Sequence, residues 1–118
     1  MMNDNITKDN IELITLCNTV RNLIGERKLH ESEELIRQVM AKYPHAPEPH
    51  NLMGIQLENK GDHLTAMKHF RAAWALDPTY LPARYNLEQH ADMFCKNRKN
   101  AYTEDDCPQL QDKELYKT

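Results

Sequence analysis

The sequence predicts an all-α protein, and three features of the chain carry that prediction. The chain has 118 residues with only three glycines, and leucine, alanine, glutamate and lysine are abundant, as is typical of helical proteins. Proline follows two apolar stretches, at Pro44 and Pro78, where it is expected to end a helix. Apolar residues also recur at helical spacing, as in Leu13, Leu16, Val20, Leu23 and Ile24.

We predict five helices and no strand, with the helices near residues 9–25, 29–43, 47–60, 63–76 and 81–95. Asp9, with Glu12 three positions later, resembles a capping box that opens the first helix. Gly61 is expected to close the third helix in a left-handed conformation, and Asp62 to cap the fourth. Pro82 suits the first turn of the fifth, where its missing N–H is not needed.

The third and fourth helices are predicted to pack closely on each other. Ala66, Phe70 and Ala73 lie at i, i+4 and i+7, on one face of the fourth helix. Gly54 lies inside the third helix, where glycine costs about 1 kcal/mol relative to alanine. Such a glycine usually has a packing reason, so we expect Gly54 to contact the fourth helix, with Phe70 at the centre of the core.

Residues 47–80 resemble a tetratricopeptide repeat, a two-helix unit of 34 residues. At an offset of one such unit, Pro44 aligns with Pro78, and residues 13–46 resemble an earlier repeat in which Arg27 replaces Gly61. Residues 81–95 match only the first helix of a third repeat. The resemblance implies an α–α superhelix of about two and a half repeats over residues 13–94, with a lone C-terminal capping helix. It rests chiefly on Gly54, Gly61, Ala66, Phe70, Ala73 and Pro78.

This organisation predicts one repeat domain over residues 9–95, with the flexible leader 1–8 before it and the polar tail 96–118 after it. The tail has few large apolar residues with which to offset its ordering entropy, which favours disorder. The alternative is a short helix near residues 109–116 that docks back or binds a partner.

Composition and motifs exclude several classes of function. A net charge of −3 gives no broad basic surface for nucleic acid or an anionic membrane. No apolar run approaches the roughly 18 to 20 residues that span a bilayer. Three cysteines are simplest to interpret as reduced thiols of a cytoplasmic protein, without a disulfide.

No catalytic, cofactor or metal site is predicted, and we expect the chain not to be an enzyme. The histidine pairs His45/His50 and His63/His69 lack the i, i+4 spacing of a helical metal site. No glycine-rich phosphate loop or C-x-x-C pair occurs. His50 replaces a large aromatic residue of the repeat and is expected to be half-buried.

The resemblance implies a protein-binding groove, because the first helix of each repeat lines the concave side. Peptide-binding relatives hold a carboxylate with a basic and asparagine clamp, of which only Arg21 and Asn86 are a partial echo here. The implied groove has three acids and one base, so we expect it to bind an apolar or basic peptide or helix of another protein. Its residues are Arg21, Ile24, Glu48, Asn51, Ile55, Glu58, Tyr85, Gln89 and Asp92, with Ile14, Cys17 and Pro82 beside them.

Two groove residues are given roles, and three alternatives stay open. Tyr85 is the expected anchor of the partner, and Asn51 is expected to bond its backbone. In the first alternative the face is only a solvated concavity. In the second the chain is a structural self-association unit such as a homodimer, and in the third it is a non-catalytic accessory subunit. Trp74 is expected to pack in the core against the next unit, the alternative being an exposed partner anchor.

Overall fold

The computed structural model describes residues 4–92 and 99–108, with side chains from Lys8 onward. Within these ranges no strand occurs, which confirms the all-α prediction. The five helices and one short 3₁₀ turn are α1 (Asp4–Gly25), α2 (Leu29–Lys42), α3 (Pro47–Asn59), α4 (His63–Leu76), α5 (Leu81–Ala91) and η1 (Glu104–Asp106).

The ends of the first and last helices differ from the prediction. α1 begins at Asp4 rather than Asp9, so the predicted leader is helical over 4–8. No glycine or proline interrupts this stretch, and acidic residues near a helix N-terminus are favoured by the helix dipole. α5 ends at Ala91, with Asp92 as its C-cap, and the predicted remainder of that helix, 93–95, lies outside the described residues.

The two interhelical turns after α1 and α3 have the same backbone structure. Gly61 has φ 85° and Arg27 has φ 61°, so both adopt the left-handed conformation. The next residue in each turn donates its N–H to the fifth residue before it, Lys28 to Leu23 at 2.8 Å and Asp62 to Leu57 at 2.9 Å. Arg27 therefore takes the conformation expected of glycine, at a cost of about 1–2 kcal/mol for a residue with a Cβ.

Each helix packs against the next along the chain, and α3 also contacts both α1 and α5. The odd-numbered helices therefore share one side of the molecule. The Asp62 side chain caps α4 by accepting from the Thr65 N–H at 3.3 Å, as predicted. This arrangement of α1, α3 and α5 forms the groove described below.

Phe70 is the centre of the core, as the sequence predicts. It is fully buried, as are Ile36, Leu52 and Ile55. A Cβ built on Gly54 would lie 2.4 Å from the Phe70 ring, so the glycine is what permits α3 and α4 to approach. The Phe70 ring also stacks on His90, with ring centroids 5.5 Å apart.

Trp74 corrects the expectation of a core position. Its side chain is 39% exposed. It lies in a shallow apolar groove with Pro78 on its own side and Leu87 of α5 opposite. The matching residue one repeat earlier, Met40, is half-buried against the core.

Candidate functional site

The side of the molecule formed by α1, α3 and α5 is occupied by the chain's own residues 99–108, here called the C-terminal segment. Its Ala101 is fully buried, and Cys107 is also buried. The segment belongs to the tail predicted to be disordered, and that prediction is wrong for these residues. Residues 96–98 and 109–118, including the alternative short helix, lie outside the described residues.

Two buried asparagines hold one peptide unit of the C-terminal segment. Asn51 of α3 and Asn86 of α5 both donate side-chain N–H groups to the Ala101 carbonyl oxygen, at 3.0 and 2.9 Å. The Ala101 N–H donates to the Asn86 side-chain oxygen at 2.8 Å. Asn86 also donates to the Asn51 oxygen at 2.8 Å. The asparagine pair thus satisfies both backbone polar groups of Ala101, and such contacts are independent of the side chain that the peptide carries.

Arg21 of α1 anchors the other end of the segment. Its guanidinium lies 2.5 Å from Asp106 and above the Tyr102 ring, 5.3 Å from the centroid. The same Asp106 oxygen accepts the N–H groups of Tyr102 and Thr103, at 2.9 and 3.1 Å. The predicted groove base therefore binds an acidic side chain of its own chain.

Several predicted groove residues have a different role from the one expected. Ile24 and Ile55 belong to the buried core, because they face the neighbouring helices instead of the groove. The Glu58 carboxylate lies 2.6 Å from a ring nitrogen of His63 and 3.4 Å from one of His90. It is therefore engaged by histidines and is not an open acid of the groove.

The predicted residues of α5 lie beside the C-terminal segment. Tyr85 is half-buried in a small depression that it shares with Leu81 and Pro108. Gln89 is also half-buried, whereas Asp92 is exposed at the end of the helix. Asn51, which was expected to bond the backbone of a partner, donates instead to the Ala101 carbonyl oxygen of the same chain.

Beside the C-terminal segment lies an open cleft of about 500 Å³, here called the acidic cleft. It is bounded by α1, the start of α3, the α4–α5 turn and the segment itself. Its carboxylates are Glu48, Asp77, Glu104 and Asp105. Its complete lining is Asn10, Ile14, Cys17, Asn18, Arg21, Glu48, Asp77, Tyr80, Thr103, Glu104 and Asp105.

Burial perturbs three titratable groups of this cleft. It raises the pKa of the Glu48 carboxyl, and the nearby Asp77 and Glu104 raise it further. Burial raises the pKa of the Cys17 thiol to about 12, which makes that thiol a poor nucleophile. Burial, then the neighbouring Cys17 and Glu48, raise the pKa of the Tyr80 hydroxyl. The cleft thus disfavours additional negative charge.

Sequence reasoning missed the C-terminal segment and gave Asn86 only a minor role. The available signal was Ala101 next to Tyr102, a small and an aromatic residue inside a polar stretch. Asn86 differs from the polar residues around it in lying on the face of α5 that holds the buried Ala83 and His90. A buried amide on a helix needs a hydrogen-bond partner, and here that partner is Ala101.

The described residues contain no cluster of three histidine, cysteine or acidic side chains that could hold a metal ion. In the same ranges, no helix is both long and apolar enough to cross a bilayer. Comparison of the chain with protein-family models, curated proteins and solved structures finds no significant match.

Proposed function

We propose that this chain is a non-catalytic, tetratricopeptide-like interaction module that binds a peptide segment of another protein in the groove of α1, α3 and α5. The observation that carries the proposal is the asparagine pair, which holds both polar groups of the Ala101 backbone. The repeat interpretation is supported by the equal turns at Arg27 and Gly61. A cytoplasmic location, where thiols stay reduced, belongs to the same proposal.

The charge of the groove favours an apolar or basic partner. Apart from the C-terminal segment, α3 and the α4–α5 turn contribute the carboxylates Glu48 and Asp77 to the acidic cleft, against the single base Arg21. An acidic C-terminus would be repelled there, and a lysine or arginine would be attracted. Apolar contacts are expected to supply most of the affinity, with the charges selecting the partner.

The groove can be tested as a peptide-binding site with the chain's own ligand. Ala101 is fully buried, so Ala101→Glu is expected to expel the C-terminal segment while leaving the helices folded. A labelled peptide of residues 99–108 should then bind this variant in trans, measured by fluorescence anisotropy. It should bind wild type much more weakly, because there the groove is already occupied.

Two controls assign such binding to the asparagine pair. The same peptide with N-methylalanine at position 101 lacks one N–H donor and should bind about tenfold more weakly. Asn51→Ala in the Ala101→Glu background should weaken binding by a similar factor. If the helical Ala101→Glu variant does not bind the peptide at all, the groove is not a peptide site and the proposal fails.

The second candidate function is self-association. It is favoured because the peptide that occupies the groove is the chain's own C-terminal segment. Because the segment and its groove belong to one sequence, a second copy of the chain carries the same peptide. Light scattering over a concentration series measures the mass in solution. A dimer that Ala101→Glu converts to monomer would support exchange of the segment between copies, and a monomer at all concentrations would exclude it.

A further inference from the structure

The acidic cleft contains polar groups that the fold itself does not use. Oε1 of Glu48 and Nε of Arg21 are buried and have no hydrogen-bond partner among the described residues. The Tyr80 hydroxyl lies next to the Cys17 thiol and makes no hydrogen bond to a nitrogen or oxygen atom of the described residues. Tyr80 is only 7% exposed. Buried polar groups in native proteins are nearly always satisfied, so three such atoms in one cleft indicate that it binds a ligand.

The charges around these atoms determine the sign of that ligand. Glu48, Asp77, Glu104 and Asp105 line the cleft, and the charge of its Arg21 is balanced by Asp106, 2.5 Å away. Bringing an anion next to an already buried carboxylate is unfavourable, whereas a cation relieves the mutual repulsion of Glu48, Asp77 and Glu104. The ligand is therefore cationic.

The shape of the cleft separates an organic cation from a metal ion. The carboxylates do not converge, since no three acidic, histidine or cysteine side chains of the described residues are placed to hold one ion. The cleft volume of about 500 Å³ far exceeds that of an ion. Its wall on α1 includes Ile14, which is 56% exposed, and the buried Cys17. An apolar wall with acids beside it matches an aliphatic stem that ends in a cationic head.

We infer that the acidic cleft binds a lysine or arginine side chain of the partner protein, with the stem against Ile14 and the cationic head at Glu48 and Tyr80. This inference rests on the proposed function and specifies one contact of the bound partner. Ile14, Glu48 and Tyr80 belong to α1, α3 and the α4–α5 turn, so they stay in place when a partner replaces the C-terminal segment, whose Thr103, Glu104 and Asp105 line the cleft in the unbound chain.

The test uses the full chain and small probes, so that no partner has to be known. N-acetyl-lysine methylamide and its arginine analogue are titrated into isotope-labelled protein and followed by two-dimensional NMR. We expect saturable shifts at residues lining the cleft, with a dissociation constant on the order of 1 mM for ligands of this size. The norleucine analogue, which has the same stem without the charge, is the matched control and should give no saturable shift.

Two substitutions connect the binding to the orphan atoms. Glu48→Gln keeps the shape and removes the charge, and should weaken both cationic probes about tenfold. Tyr80→Phe removes only the hydroxyl and should weaken them about threefold. Glu34→Gln removes the same charge from an exposed site on α2 outside the cleft and should change affinity by less than about twofold.

Equal binding of the norleucine probe, shifts confined to other surfaces, or unchanged affinity in Glu48→Gln would each overturn the inference. No saturable shift with either cationic probe would overturn it as well. These failures differ from failure of the proposed function. If the residue 99–108 peptide still binds the Ala101→Glu variant, the groove remains a peptide site and only the cation contact is lost.

Discussion

Gly54→Ala tests whether the approach of α3 to α4 depends on the absence of one methyl group. An ideal Cβ at this position would lie 2.4, 2.6 and 2.8 Å from three carbons of the Phe70 ring. Favourable carbon–carbon contacts are roughly 3.5–4.0 Å, so the methyl overlaps the ring. Phe70 is fully buried and stacked on His90, so a shift of its ring would disturb that packing.

The size of the effect follows from two opposing terms. Replacing a glycine inside a helix by alanine stabilises it by about 1 kcal/mol. Overpacking a rigid core costs about 1–3 kcal/mol, and overlap with three ring atoms puts this substitution at the upper end, about 3 kcal/mol. The free energy of unfolding should therefore fall by about 2 kcal/mol, measured by urea denaturation with circular dichroism.

A double-mutant cycle separates the ring contact from other effects of the methyl. Phe70→Val removes the ring atoms that the new Cβ would meet, so Gly54→Ala in that background should be neutral or stabilising. Gly25→Ala, where an added Cβ meets nothing within 4 Å, serves as the control and should not destabilise the protein. If Gly54→Ala stabilises the wild-type background, or costs the same in both backgrounds, the contact is not what requires glycine.

Three other predictions concern the turns, the histidine pair and the buried thiol. Arg27→Gly relieves a left-handed arginine, so it should raise the free energy of unfolding by about 1 kcal/mol and raise the melting temperature. Gly61→Ala, at φ 85°, should lower the free energy of unfolding by a similar amount and lower the melting temperature. Burial lowers the pKa of His50 and His69, whose Nδ1 atoms lie 3.1 Å apart. The unfolded chain then binds protons that the folded one does not, so the free energy of unfolding should fall as pH drops below about 6.5, and His69→Gln should flatten that profile. Cys17, with a thiol pKa of about 12, should react with a thiol reagent far more slowly in the native than in the denatured protein, followed by peptide mass spectrometry.

Local sequence features determined the helices, because periodicity and turn chemistry act over a few residues. The spacing of Ala66, Phe70 and Ala73 predicted the buried face of α4, and Gly61 with Asp62 predicted the turn before it. Arg27 shows the limit of that reasoning. Its residue type argues against a left-handed turn, yet Arg27 adopts one where the chain turns from α1 to pack α2 against it.

The candidate site depended on contacts between distant residues, and these were only partly predictable. Repeat position singled out Arg21 and Asn51 as residues that bind a partner, and in the structure both contact the C-terminal segment of the same chain. It also assigned Ile24 and Ile55 to the groove, although both are buried in the core. When a helix has neighbours on both its groove side and its core side, helical periodicity alone does not show which side a residue faces.

By itself, the sequence determined an all-α chain, the turn at Gly61 and the close approach of Gly54 to the fourth helix, since each follows from the local residue pattern. Only the tertiary structure decided that the chain's own segment occupies the groove. That contact joins Asn51 to Ala101, fifty positions apart, through hydrogen bonds to a backbone rather than to a side chain. Hydrogen bonds to a backbone do not depend on residue type, so the sequence does not show which segment occupies the groove. The occupant and the acidic cleft beside it can be identified only from the packed helices.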